Sequence, residues 1–360
     1  MKANFIAACV LTGTIGCNSI EQPPLAPSAA VDMRADTDIQ TPSYDMTFVP
    51  PPVKAYIYIP DNDRNRLSII NNVTNSLIPE SVSGLQPSSF GIAVASQRAY
   101  VTHDDVTVVD LTSNPRRVSY LITSDKLCGR AVTYQIAVTP DEKKAYVTCF
   151  TVGSSPCNQI GVLDTQTNSV KTIITTGSPS SCSFGVTVSP NGQRAYVLRQ
   201  YGVTVIDTAT DNVITTIPNV PGELGLAVSP DSKVLYVANR TGSVSVIDTA
   251  ANSVITNIAV GNSPAGVAVT PGFPTPSLVY VTNSDDNTVS VISNNSVIAS
   301  IPVGKRPAGI AITPDGRKAY VINFDSKNVS IIDTQTNKVI DTLPAGGSYV
   351  FGKFISPALP

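Results

Sequence analysis

From residue 53 onward, short runs of β-branched and aromatic residues alternate with clusters of Gly, Pro, Asn and Asp. The clearest run is Lys318-Ala319-Tyr320-Val321-Ile322-Asn323. Asn328-Val329-Ser330-Ile331-Ile332-Asp333-Thr334 and Asn337-Lys338-Val339-Ile340 follow it. Runs of this length and composition, bounded by turn residues, predict strands. The last copy reads as four of them: A (Gly309–Ile312), B (Ala319–Asn323), C (Val329–Asp333) and D (Val339–Leu343). Pro314-Asp315-Gly316 turns A into B. Asp333-Thr334-Gln335-Thr336-Asn337 turns C into D, where Asp caps turn amides and Asn tolerates positive φ. Apolar residues occupy both faces of these strands, as expected of sheets packed between neighbours.

The same unit recurs. Copies begin at Tyr56, Tyr100, Tyr146, Tyr196, Tyr236, Tyr280 and Tyr320, spaced about 40–50 residues apart. A period near this value is that of a four-stranded propeller blade. The first copy opens on strand B, and the chain's last run, Val350 to Pro357, reads as a lone strand A. The expected fold is therefore all-β: a seven-bladed β-propeller over 53–357, its ring closed by the C-terminal strand joining the N-terminal blade.

The Tyr-Val-Thr-Asn strand (Tyr280 to Asn283), the Val-Ser-Val-Ile-Asp-Thr strand (Val244 to Thr249) and the Thr-Pro-Asp-Gly turn (Thr313 to Gly316) resemble the YVTN family of β-propeller repeats. The resemblance runs over about residues 53–357 and is strongest in 184–343. It implies a seven-bladed, usually extracytoplasmic propeller. It implies no single reaction, because fold alone does not fix function.

The amino terminus has a different character. Lys2 is followed by a small and apolar stretch to Gly16, the pattern of a short signal peptide over 1–16. Thr14-Ile15-Gly16-Cys17 resembles a bacterial lipoprotein signal, which implies lipidation of Cys17, with Thr14 standing where that family usually has Leu. Residues 17–52 are rich in Pro, Ser, Thr and Asp without strand or helix period, and read as a disordered tether. The expected address is the bacterial cell envelope, with the outer membrane or cell surface preferred to a periplasmic or secreted location. Membrane contact is expected through the lipid anchor only.

Composition narrows the function. Charged residues make up 14% and the net charge is −2, so no basic excess exists to hold phosphates, and nucleic acid is not an expected partner. In a propeller the D–A and B–C loops share one face. There, the residue before each strand-A glycine, or before the Gln135 that takes its place in one blade, is Phe351, Phe90, Tyr134, Phe184, Leu224, Ala265 or Ala308. The residue closing each strand B reads as Ile59, His103, Cys149, Arg199, Asn239, Asn283 or Asn323. Blades one to four thus carry the unusual residues. We expect a ligand-binding patch of Phe90, His103, Tyr134, Phe184, Arg199 and Phe351, set against the alternative that these side chains only fill gaps between blades.

Four cysteines remain beyond Cys9 and Cys17, an even number suited to disulfides in an exported chain. Three pairings are possible, and the expected one is Cys149–Cys157 with Cys128–Cys182. His103 is the only histidine, which leaves no multi-His metal site. Asp61-x-Asp63-x-Asn65 starts like a calcium loop but lacks its Gly and Glu. No catalytic residue, metal or cofactor is assigned. The expected function is a non-catalytic, monomeric binding scaffold for a protein, glycan or surface ligand. The alternative is a propeller enzyme, resembling lactonases or quinone-dependent dehydrogenases, with its site at the central channel mouth.

Overall fold

The computed structural model describes residues 53–357, apart from 87, 129–130, 151–156, 178–181, 273–276 and 346–349. The proposed signal peptide, Cys17 and the tether lie outside the described residues. The strands form seven sheets, six of four strands and one of five, as the repeat count requires. In blade 7 the strands are Pro307–Ile312, Lys318–Asn323, Asn328–Asp333 and Lys338–Leu343, within two residues of the sequence reading.

Strand A of each blade lines the axis and strand D forms the rim. The repeat tyrosines fill the spaces between sheets: Tyr58, Tyr100, Tyr146, Tyr196, Tyr280 and Tyr320 are among the largest fully buried side chains. Their hydroxyls reach the C–D turn of the following blade. Tyr146 donates to Asp211 Oδ1 at 2.6 Å and Tyr280 to Asn337 Oδ1 at 2.6 Å, the latter a turn within blade 7. The basic residue two before the tyrosine makes a parallel tie. Lys144 Nζ donates to Thr208 O at 2.5 Å, and Lys318 Nζ donates to Asn72 O at 2.6 Å, which links the last blade to the first. Those turns carry Asn or Asp at positive φ, 49° at Asn75, 52° at Asn168, 59° at Asp211 and 52° at Asn252. Asp110, Asp164, Asp207, Asp248 and Asp333 cap the same turns.

Ring closure follows the expected strand exchange, with one addition. Tyr58 N–H donates to Phe354 O at 2.8 Å, Ser356 N–H donates to Tyr56 O at 2.9 Å, and Ile57 bridges Ile355 antiparallel. The C-terminal segment thus supplies strand A to blade 1. Just before this, Phe351–Lys353 also pairs in parallel with strand A of blade 2, Gly91–Val94, and is the fifth strand of that sheet. Parallel contact between neighbouring inner strands is possible here because Gly352 takes φ 113°, and a Cβ there would lie 2.3 Å from Ile92 O.

The first copy needs a register correction. Tyr58, not Tyr56, occupies the repeat position: Tyr58 pairs with Ile69 as Tyr320 pairs with Ile331. Strand B of blade 1 therefore closes on Asp61 rather than Ile59. The Tyr-Ile-Tyr alternation offers two tyrosines, and only the pairing with strand C chooses between them.

Candidate functional site

Four aromatic rings meet on the D–A and B–C face of blades 2 to 4. Phe90 stands before strand A of blade 2. Tyr134 lies in strand A of blade 3, Val132–Val138, and Phe150 ends strand B of that blade, Lys144–Phe150. Phe184 lies in strand A of blade 4, Ser183–Val188. Phe90 stacks on Tyr134 with centroids 5.2 Å apart, and Phe150 lies 5.7 Å from Tyr134. Phe184 meets Tyr134 edge-on at 6.3 Å and Phe150 at 5.9 Å. All four are half-buried, so each keeps part of its ring open to solvent.

The repeat itself sets their backbones. The threonine of Tyr-Val-Thr reaches across to the next blade: Thr102 Oγ1 donates to Tyr134 O at 2.6 Å and Thr148 Oγ1 to Phe184 O at 2.6 Å. In blades 6 and 7 the same bond, Thr282 Oγ1 to Ala308 O at 2.7 Å, holds an alanine instead. The threonine of blades 2, 3 and 6 thus holds the same slot in the next blade, and the aromatic character belongs to one arc of the ring.

Two disulfides flank the arc, and their pairing differs from the expected one. Cys128 joins Cys149, and Cys157 joins Cys182. Cys128 ends a short helix, Ser124–Cys128, that packs its Leu127 side chain over Gly161 and brings the sulfur to strand B. Cys149 is therefore taken from within the D–A loop, and Cys157 is left for Cys182. Cys149 is next to Phe150, and Cys182 is two residues before Phe184, so the crosslinks brace the rings they adjoin.

Three expected patch residues are buried rather than open to a ligand. His103 is 0% exposed: its Nδ1 accepts from Asp105 N–H at 3.0 Å, which leaves Nε2–H to donate to Thr107 Oγ1 at 2.5 Å. Burial pushes its pKa down, against the opposing charges of Asp105 and Asp104. Arg199 is 6% exposed, with its guanidinium beneath Gly177 of the D–A loop, and burial lowers its pKa as well. The slot closing strand B explains His103, because it faces strand C and not the ligand face, whereas Arg199 is covered by the D–A loop. Asn239, Asn283 and Asn323 donate there to Ser245, Ser290 and Ser330 Oγ at 2.9, 2.9 and 2.8 Å. His103 makes the equivalent bond to Thr107. In blade 1 the slot holds Asp61, 2% exposed and 3.4 Å from both Arg64 and Arg66.

Phe351 is 4% exposed and packs against Ala265 and Ala308 at the axis, where it fills the upper end of the central channel. Two aromatic residues of blades 3 and 4 on this face escaped the sequence reading. Phe150 follows the strand-B slot, and only the fold brings it to Tyr134. Tyr201, 71% exposed, sits in the B–C turn of blade 4. A bulky aromatic in a turn that most blades fill with polar residues is its one sequence signal.

No family model matches the chain. A curated relative, the seven-bladed beta-propeller protein Rv1057 of Mycobacterium tuberculosis, is 34% identical over 110 residues, which is 30% of this chain and 27% of that protein. The chain thus matches about a quarter of that relative's length. Among solved structures, hydrazine synthase of Kuenenia stuttgartiensis is similar with a TM-score of 0.63 at 21% identity, over 77% of this chain and 92% of that one. A functionally unknown protein from Desulfotomaculum acetoxidans gives 0.66 at 16%, over 82% and 98%. Dihydro-heme d1 dehydrogenase NirN in complex with DHE gives 0.58 at 16%, over 82% and 65%. At these identities the likeness is one of fold. With the seven sheets, it makes the chain a seven-bladed β-propeller.

Proposed function

We propose that this chain is a binding scaffold of the cell envelope, held by a lipidated Cys17 and its tether, that engages a protein or glycan through the aromatic arc of blades 2 to 4. The observation that carries this is the contiguity of Phe90, Tyr134, Phe150 and Phe184, half-open on a face braced by two disulfides. Rigid aromatic rings present large contact area at low entropic cost, and such anchors dominate interface energetics. Loops on a stiff scaffold are where recognition commonly sits.

The enzyme alternative asks for donor side chains converging at the channel mouth on this face. The described residues there are Phe351, Ala265 and Ala308, with the stacked rings beside them, and these fit an apolar contact rather than a metal. Among the described residues no group of three or more His, Cys, Asp or Glu could hold a metal ion.

The test is recovery of ligand from envelope extract and from a glycan array. Phe90→Ala, Tyr134→Ala and Phe184→Ala should each cut recovery about tenfold or more, the effect of losing an aromatic anchor. Ile298→Ala, on the outer strand of blade 6, should leave it unchanged. Equal recovery by all four variants would refute the reading.

A further inference from the structure

The central channel holds a second feature, at the opposite end. Below Phe351 lies a cavity of ≈ 700 Å³, within the range of small-molecule sites. Its walls are the aliphatic inner strands, with Ile136, Val186, Leu226 and Ile310 among them. It reaches the A–B turns, which contribute Pro140, Pro190, Pro271 and Pro314. Its mouth is therefore on the face away from the aromatic arc.

Among the described residues that line it, only Glu142 and Lys353 are charged. Glu142, in an A–B turn, is engaged: its carboxylate accepts from Ser96 N–H at 2.8 Å and from Ser96 Oγ–H at 2.5 Å. Lys353 is not. It makes no hydrogen bond or ion pair with any described residue, and it is open to water within the channel while protein surrounds it on most sides. That environment lowers its pKa through burial, with the charge of Glu142 opposing.

Its place in the repeat is equally unusual. The Ile57–Ile355 bridge matches Ile312–Ala319 of blade 7, so counting back puts Lys353 where that blade has Ile310. The other blades have Ile92, Ile136, Val186, Leu226 and Val267 there. A cation in a slot that is aliphatic in every other blade breaks the local pattern, and such breaks mark functional positions.

We propose that the channel binds an amphiphilic monocarboxylate. The carboxylate pairs with the Lys353 ammonium, and the aliphatic body lies along the inner strands after passing the A–B turns. One ammonium matches one negative charge. Glu142 at the rim disfavours a dianion.

Isothermal titration with decanoate and with 1-decanol tests this. The wild-type chain should bind one decanoate. Lys353→Met should weaken decanoate at least about tenfold, the loss of one charge-assisted contact, and leave decanol unchanged. Glu142→Gln should bind decanoate more tightly, which keeps the proposal testable if Lys353→Met fails to fold. Absence of decanoate binding to the wild type, or equal binding by Lys353→Met, would overturn it. So would binding that Phe90→Ala abolishes and Lys353→Met spares, because the ligand would then sit on the aromatic face.

Discussion

Phe354 offers the sharpest test of how the ring is closed. Its side chain is 0% exposed and belongs to the core cluster joining blades 7 and 1, with Ile57, Ala311, Ile322 and Val350. Its carbonyl accepts from Tyr58 N–H at 2.8 Å. The corresponding position of blade 7 is Ala311, so Phe354 fills volume that no other blade fills this way. Phe354→Ala leaves the backbone bond possible and removes a buried ring from a packed site, a change that costs about 3–5 kcal/mol. Unfolding entropy of about 2.1 cal/mol/K per residue, over a body of this size, converts that to a fall in Tm of about 5–8 °C. The control is Ile340→Ala on the outer strand of blade 7, 49% exposed, which should shift Tm by about 1 °C or less. Calorimetry reads both. Limited proteolysis adds direction: with the closure loosened, first cuts should move to blade 1 and to the C-terminal segment. A Phe354→Ala Tm within about 1 °C of wild type, or early cuts confined to blades 4 and 5, would refute closure through this segment.

Two further outcomes follow from the site. Peptide mapping without reduction should give Cys128 linked to Cys149 and Cys157 linked to Cys182, and opening either crosslink by Cys→Ser should cost about 3 kcal/mol in urea unfolding, given spans of 21 and 25 residues. His103 is neutral in the folded chain because burial holds its pKa below that of the unfolded state. Below pH about 6.5 the unfolded chain therefore binds the extra proton, and stability should fall as pH drops through this range until the folded pKa is passed. His103→Asn, which restores the residue of blades 5 to 7, should flatten that dependence between urea midpoints at pH 7.5 and 5.5. An unchanged slope would show that His103 is not its source.

Much of this architecture is legible along the chain because it is local and repeated. Each blade states its own strands, turns of Pro, Asp, Asn and Gly between them, and its tyrosine, and the repetition makes their count and the orphan final strand visible. The aromatic slot is legible for the same reason: Phe90, Tyr134 and Phe184 depart from a position that blades 6 and 7 give to alanine.

The tertiary structure decided what depends on direction and on distance across the ring. Whether His103 faces a ligand or strand C, and whether Arg199 is open or lies under the D–A loop, are matters of side-chain orientation, and composition at a slot is silent about them. Cysteine pairing follows from where a short helix carries Cys128. Phe150 joins the aromatic arc, and Lys353 enters the channel, because closing seven sheets into a circle brings together residues that share no local pattern. A repeat encodes contacts within a blade and with its neighbour; what meets at the axis is set by the closed ring.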